Sequence, residues 1–353
     1  MHVNCQPIQG RPIRIGLVGV GRVAEFHIQA IQHYNEDLTI QAICDPIQEK
    51  GQKAAERLQA DYYQYLEDLA KADDIDVVVL CTPSGLHARQ TQLLAKAGKH
   101  IICEKPMATR WQDGLDMIRA CDDHQVQLFV VKQNRYNRPL QLLKKAVQQG
   151  DFGQIYLVNA NVFWYRQQAY YDMADWRGTW EFDGGAFMNQ ASHYIDLLHW
   201  LIGPVDCVQA LMGTMARDIE AEDTGVMNLR WRNGAMGSVN VTNLTYNTDW
   251  EGSLTVLGEK GTVRIGGKAL NHIDHWHFQS NDEDEQTLQQ ANYETQSVYG
   301  LGHYDYYQNI IEVFRGQAKP DVDGRSGLKS LELLIAAYRA ARDRQTVYLP
   351  LML

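Results

Sequence analysis

The chain is short of basic charge: 33 lysines and arginines face 43 acids, for a net charge of −10 over 353 residues. That balance argues against non-specific attachment to nucleic acid or to an anionic membrane, both of which need a cationic field. An anionic small molecule stays open, because a few arginines reverse the potential inside a cleft. No apolar run approaches the ~20 residues of a membrane-spanning helix, and the opening MHVNCQPIQGRP has no apolar core of the kind a secretory leader needs. The six cysteines (Cys5, Cys44, Cys81, Cys103, Cys121 and Cys207) show no CxxC spacing. Most sit in apolar runs, so they read as reduced core residues of a cytoplasmic protein. Repeats and low-complexity linkers are missing too. His275-x-His277 has the spacing of a metal pair but no third ligand in view, so no metal is expected.

What is present describes a folded protein with room for two domains. Apolar residues make up 45% and charged ones 22%, and the length exceeds that of a single ordinary core. The expected division is 1–133 and 134–353.

The first part alternates apolar strands with helical stretches. IRIGLVGVGRVAEFHIQAI runs from a strand (Ile13 to Val18) through glycines into a helix, and TIQAICD is a second strand ending at Asp45. DVVVLCTPSGLHARQ, HIICEKP and VQLFVVKQNR continue the pattern. Such alternation predicts an α/β, doubly wound parallel sheet, whose ligands bind beyond the carboxyl ends of its strands. Ser84, His87, Lys105 and Gln133 all fall just after strand ends. In GVGRVA, Gly19 and Gly21 match the first two glycines of a dinucleotide fingerprint, and Ala24 stands at the permitted third place. The helix opening near Arg22 and Val23 would offer free N–H groups to phosphates. Asp45 suits a ribose diol and would repel a 2′-phosphate. Pro46, Ile47 and Gln48 offer no arginine in its place, so NAD is preferred to NADP.

After about Arg135 the rhythm changes. QIYLVNANVFWY, VDCVQALMGTMA, TGVMNLRW, GAMGSVNVTNLTY, GSLTVLG and GTVRIG read as half-buried strands, joined in part by turns at Asn233-Gly234 and Glu259-Lys260-Gly261. This predicts an α+β domain with a large, mostly antiparallel open sheet, whose apolar face would favour self-association. The acidic stretch 281–286 reads as an exposed loop. In FDGGAFMNQASHYIDLLHWLIG a helix is expected from about Phe187 to Ile202, with Asn189 and His193 sharing one face. A histidine in that place can be a general base or a satisfied structural group.

HIICEKPMA, His100 to Ala108, delivers Lys105 from an apolar strand and follows it with proline. GVGRVA, Asp45, CTPSGLH, EKP and GGAFMNQASHYID, in this order, resemble the Gfo/Idh/MocA oxidoreductases, over essentially the whole chain. The resemblance implies a Rossmann-type NAD domain followed by the α+β domain. It makes Lys105 and His193 catalytic, the lysine reaching both the substrate hydroxyl and the nicotinamide and the histidine acting as proton acceptor. It extends the cofactor contacts to Thr82, Pro83, Glu104, Trp176 and Arg177. Relatives often carry aspartate where this chain has Asn189, which leaves His193 and Lys105 as the acid–base pair. VFWYRQQAYYD, WRGTWEFDGG, LGEKGTVRIGG and SVYGLGH resemble a narrower branch, the UDP-N-acetylglucosaminuronate 3-dehydrogenases. That likeness implies a UDP-sugar substrate, a homotetramer formed through the sheet, and a PLP-dependent aminotransferase acting next. Asn189 would orient the sugar hydroxyl, Trp176, Arg177 and Thr179 would hold sugar or cofactor, and Arg166 or Arg135 would face carboxylate or diphosphate. The alternatives are a free sugar or polyol dehydrogenase and a non-catalytic NAD-binding sensor.

Overall fold

The computed structural model describes residues 6–280, 283–295 and 297–351. Cys5 and the first two residues of the acidic stretch at 281–286 lie outside them. Contacts divide the chain into two units, Met1–Lys132 with His303–Leu328, and Gln133–Gly302 with Lys329–Leu353. The contiguous second segment expected from sequence is thus interrupted, because residues 303–328 return to the first unit.

The first unit is built on β1 (Ile13–Val18), β2 (Leu38–Cys44), β3 (Asp61–Tyr63), β4 (Val77–Leu80), β5 (His100–Cys103) and β6 (Leu128–Val130). All neighbouring pairs are parallel, in the order β3-β2-β1-β4-β5-β6. The strands read as continuous apolar runs because helices cover both faces of such a sheet. Ile13, Ile15, Leu17, Val77, Val79, Ile101 and Ile102 are accordingly buried. The order reverses between β1 and β4, and loops following the carboxyl ends of adjacent strands therefore come together there. The helix His303–Phe314 closes the unit, with Phe314 against Phe129 at a ring distance of 5.6 Å.

The second unit carries β7 (Ile155–Phe163), β8 (Val205–Gly213), β9 (Thr224–Trp231), β10 (Met236–Thr242), β11 (Glu251–Gly258), β12 (Gly261–Gly266), β13 (His272–Phe278) and β14 (Val347–Tyr348). Their order is β13-β12-β11-β7-β10-β9-β8-β14, antiparallel except for the parallel pair β7–β10. Strand β13 was not expected. It contains the His275-x-His277 motif, whose histidines are exposed on it, and a register shift opposite Arg264 and Ile265 breaks its alternation. The acidic stretch is not wholly a loop: Asp284 caps the helix Glu285–Ala291 by accepting the Thr287 N–H at 2.9 Å. The five described cysteines are free thiols. Among the described residues no helix is long and apolar enough to cross a membrane.

Candidate active site

In the first unit the expected cofactor residues gather at the strand ends. Gly19 follows β1 with φ +85°, and a Cβ there would stand 2.9 Å from the Cys81 carbonyl oxygen. Only glycine satisfies both conditions. A Cβ on Gly21, by contrast, would meet nothing within 4 Å, so its backbone faces open space. Arg22 and Val23 complete the turn, and the helix Ala24–His33 begins just beyond them. Asp45 follows β2, and its two carboxylate oxygens accept the N–H groups of Val20 at 3.0 Å and Ile47 at 2.9 Å. A carboxylate has about four acceptor positions, so two remain for a ribose diol.

Thr82, Pro83 and Ser84 follow β4, with the Thr82 hydroxyl donating to Gln90 Oε1 at 2.5 Å. His87 departs from expectation. Instead of facing a cofactor it is fully buried, with Nδ1 3.0 Å from Pro106 O and Nε2 3.0 Å from Thr82 O. Burial pushes its pKa down, while the two carbonyls favour the charged ring. A neutral ring can donate to one carbonyl at a time. Either way His87 ties the loop after β4 to the turn after β5.

That turn answers the question posed by HIICEKPMA. Strand β5 is buried up to Cys103, Glu104 is 5% exposed, and Lys105 is half-buried. Glu104 Oε2 accepts the Lys105 N–H at 2.9 Å, and Oε1 lies 2.9 Å from His27 Nε2. Burial, the largest single influence, would raise the Glu104 pKa, but the His27 hydrogen bond together with the charges of His27, His303 and Lys105 outweighs it and holds the carboxyl down at about 2. An ionised glutamate locked behind Lys105 leaves the lysine half-accessible at the sheet edge, where ligands of this fold bind. His27 was not singled out from sequence. It sits on the buried face of an amphipathic helix, where a histidine is indistinguishable from core.

The second unit holds His193 in a less regular way. The helix runs Ser192–Ile202, starting five residues later than expected, so Asn189 belongs to the turns before it. The delay has a visible cause. Glu222 intrudes with a buried carboxyl that accepts the Phe187 N–H at 2.9 Å and the Tyr338 hydroxyl at 2.9 Å. Its carbonyl also takes the Ala186 N–H at 2.9 Å, and the Ala191 N–H reaches back five residues to Ala186 O. A Cβ on Gly185 would fall 1.9 Å from Glu222 Oε2, an oxygen with no hydrogen-bond partner. Burial pushes the Glu222 pKa up to about 7. Asn189 donates to Asp183 Oδ1 at 2.5 Å, while Asp183 Oδ2 accepts the Gly178 N–H at 2.8 Å. Asp183 thereby links WRGT to the glycine turn. Its place directly before Gly184-Gly185 was the available signal.

His193 is 8% exposed, and its Nε2 lies 3.2 Å from Gln133 Nε2. The amide nitrogen is a donor, so the imidazole nitrogen it meets carries a lone pair, the form a general base requires. A substrate hydroxyl would have to take the place of the amide N–H. Gln133, expected at the cofactor, is thus brought together with His193.

The arginines divide. Arg135, expected to face a substrate anion, is buried and spends Nε and one terminal nitrogen on Asp196, both at 2.7 Å. An internal carboxylate has taken the role assigned to an external one. Arg166 pairs with Asp249 at 2.8 Å and stands over the Trp164 ring at 5.0 Å. Arg177 lies over Tyr170 at 4.4 Å and Trp176 at 4.7 Å, and its Nε is buried without a hydrogen-bond partner. Trp176 and Thr179 line a cavity of about 690 Å³ with Asp175, Glu181 and Glu220, an acidic lining unsuited to an anion. The Thr179 hydroxyl is used within its own turn, donating to Trp176 O at 2.8 Å.

The open backbone at Gly21, the tight turn at Gly19 and the acidic Asp45 together fit NAD. Residues 13–132 match the NAD-binding Rossmann fold of an oxidoreductase family, and residues 144–349 match that family's C-terminal alpha/beta domain. The chain is similar to the WlbA dehydrogenase from Bordetella pertussis, solved in complex with NADH and UDP-GlcNAcA. The two share 56% identity over 98% of this chain and 100% of that one, with a TM-score of 0.95. It is also similar to the WlbA dehydrogenase from Chromobacterium violaceum in complex with the same two molecules, at 53% identity over 98% and 99% of the two chains and a TM-score of 0.94. A more distant relative is the myo-inositol 2-dehydrogenase of Thermotoga maritima, 24% identical over 96% of this chain and 98% of that protein. With both halves matched in order, the chain belongs to the Gfo/Idh/MocA oxidoreductase family and carries its NAD-binding domain.

Proposed function

We propose that the protein oxidises the C3 hydroxyl of UDP-N-acetylglucosaminuronate with NAD⁺, giving the 3-keto sugar. The observation that carries this reading is the 56% identity, across 98% of the chain, to a dehydrogenase whose structure holds NADH and UDP-GlcNAcA. NAD⁺ supplies the hydride acceptor. The C3 hydroxyl gives its proton to the unprotonated nitrogen of His193 as the C3–H electron pair departs, so the alcohol carbon becomes a ketone. Lys105 donates a hydrogen bond to the same oxygen and stabilises the negative charge that develops there. Asn189, anchored by Asp183, orients that hydroxyl. Gly19, Gly21, Arg22 and Val23 cradle the pyrophosphate, and Asp45 takes the ribose diol. Thr82, Pro83 and Ser84 complete the cofactor wall. Arg177 is the anion-binding arginine, since its guanidinium is flanked by rings and its Nε lacks a partner. Arg166 supplies a second anion contact.

The wider setting belongs to the same reading. The chain works in the cytoplasm on a nucleotide sugar for surface-polysaccharide synthesis, and a PLP-dependent aminotransferase consumes the ketone. Self-association into a tetramer through the second sheet is supported by apolar residues exposed on one of its faces. Leu211 stands opposite Val226, and Met236 opposite Leu157.

The test is turnover, followed as NADH absorbance. UDP-N-acetylglucosaminuronate should reduce NAD⁺, with UDP-N-acetylglucosamine slower by roughly 10–150-fold, the equivalent of one lost charge-assisted bond of about 1.5–3 kcal/mol. Myo-inositol and glucose should give nothing. Robust turnover of a free polyol, with no response to the sugar acid, would refute the assignment.

A further inference from the structure

Behind the Lys105 turn runs a chain of buried polar groups that the proposed reaction does not use. At its inner end the Tyr307 hydroxyl, fully buried on the helix His303–Phe314, lies 2.8 Å from His27 Nδ1. His27 is equally buried on the helix Ala24–His33, and its Nε2 meets Glu104 Oε1 at 2.9 Å. Glu104 Oε2 then accepts the Lys105 N–H. The directions follow from the ends. An ionised Glu104 only accepts, so His27 Nε2 carries the hydrogen. In the neutral ring Nδ1 is then the acceptor for the Tyr307 O–H.

The same place could suggest a metal site, because ligand atoms of His27, Glu104 and His303 all lie within 4.8 Å of one another. The hydrogen bonds decide against it. Both nitrogens of His27 are already engaged, and a cation would have to break a good hydrogen bond to use either. The His303 ring stands edge-on to His27 at 5.3 Å, and burial holds its pKa down at about 3, so it stays neutral.

We propose that His27 and Tyr307 are positioning residues for the reaction: their hydrogen-bond chain pins the Glu104 carboxylate against the Lys105 N–H and so fixes where β5 delivers the lysine. The inference rests on the reading of Lys105 as catalytic. Several ionisable groups face Glu104. They are His27 from one helix, His303 and Tyr307 from another, Cys81 beyond β4, His87 from the helix after it, and Cys103 and Lys105 from its own segment. Of these His27 gives the one side-chain hydrogen bond that lowers the carboxyl. Without it burial prevails, Glu104 protonates at higher pH, and its grip on the Lys105 N–H weakens. A displacement near 1 Å at a reacting group costs roughly 10²-fold.

The experiment compares wild type with His27→Phe, His27→Gln and Tyr307→Phe. It reads kcat and KM for NAD⁺ and UDP-N-acetylglucosaminuronate between about pH 5 and about pH 9, with Lys105→Ala as a control. A glutamine amide nitrogen reaches the place of His Nε2, so His27→Gln restores the donor to Glu104 and His27→Phe does not. His27→Phe should lower kcat by roughly 10–10²-fold with little change in either KM, and should move the acidic limb of kcat to higher pH. His27→Gln should recover most of that kcat and keep the wild-type limb, while Tyr307→Phe should move the limb slightly. If His27→Phe does not fold, the contrast between His27→Gln and Tyr307→Phe decides alone. Equal losses in Phe and Gln with an unmoved limb, or unmoved limbs in both folded variants, would overturn the positioning role. An active Lys105→Ala would instead overturn the catalytic reading beneath it.

Discussion

The two units present their reactive groups by different local rules. In the first, regular strands do the placing. Strands β1, β4 and β5 are neighbours and parallel, so the residues after Val18, Leu80 and Cys103 fall side by side wherever each strand stops. In the second, His193 follows a stretch that is neither strand nor helix. Its shape is imposed by two buried acids, Asp183 at its start and Glu222 from elsewhere in the chain. A sheet edge tolerates substitution because the backbone ladder holds it, whereas a turn clamped by buried carboxyls depends on each clamp. The reactive groups of one chain thus rest on very different amounts of local support.

The largest effect should come from removing the reactive groups themselves. Lys105→Ala and His193→Ala should each lower kcat by roughly 10²-fold or more, the scale of an electrostatic or general-base contribution. The double variant should lose little beyond the worse single one, because groups acting on one oxygen in one step are not additive. NADH binding, read by fluorescence, should survive in all three. Fully additive losses would mean that the two residues serve separate steps.

With Glu222 raised to about 7, the folded state holds a proton that the unfolded chain releases near pH 4.5. The unfolded state therefore binds fewer protons between those values, and this group's contribution to stability falls as pH rises from about 4.5 to about 7. The whole difference is on the order of 3 kcal/mol. Glu222→Gln cannot ionise. Its unfolding free energy relative to wild type should therefore improve by that order between acidic and mildly alkaline buffer, as denaturant melts would read. Glu104 acts in the opposite direction in wild type and variant alike: held down at about 2, it stabilises above pH 4.5 and loses that contribution as pH falls toward 2. A gap between variant and wild type that does not change with pH would show that Glu222 is ionised throughout.

The contrast also explains what could be read in advance. Parallel strands and their loops were legible because continuous apolar runs ending in Gly19, Asp45, Thr82 and Lys105 carry their own punctuation. Strand β9 was read at its full extent, since alternation over TGVMNLRW is unbroken. Strand β13 was hidden by exposed histidines and a register shift, which together erase the two-residue period. The helix that carries His193 reads as starting too early because AFMNQ has ordinary helical composition. What stops it is Glu222, some thirty-five residues away in sequence. Arg135 reads as a ligand contact because Asp196, its partner, carries no local sign of pointing inward. Long-range pairing of buried charges is the part that local pattern does not record.

The smallest effect expected is the one that sharpens the reading of the first unit. Asp45 is 7% exposed and already accepts two backbone N–H groups, so it is both a loop anchor and the proposed ribose ligand. These roles separate in a variant that keeps an acceptor but loses the charge. Asp45→Ser retains a hydroxyl that can serve one of the two N–H groups, while removing the repulsion toward a 2′-phosphate. Wild type should prefer NAD⁺ strongly over NADP⁺. The variant should narrow that preference by about 10-fold, an amount equal to one hydrogen bond to a charged group. Most of the change should appear as weaker NAD⁺ binding, since no arginine follows Asp45 to hold the phosphate of NADP⁺. Titration of both cofactors by quenching of protein fluorescence measures each affinity directly. Equal wild-type affinities would remove Asp45 from cofactor selection and leave it only the loop between β1 and the helix that follows.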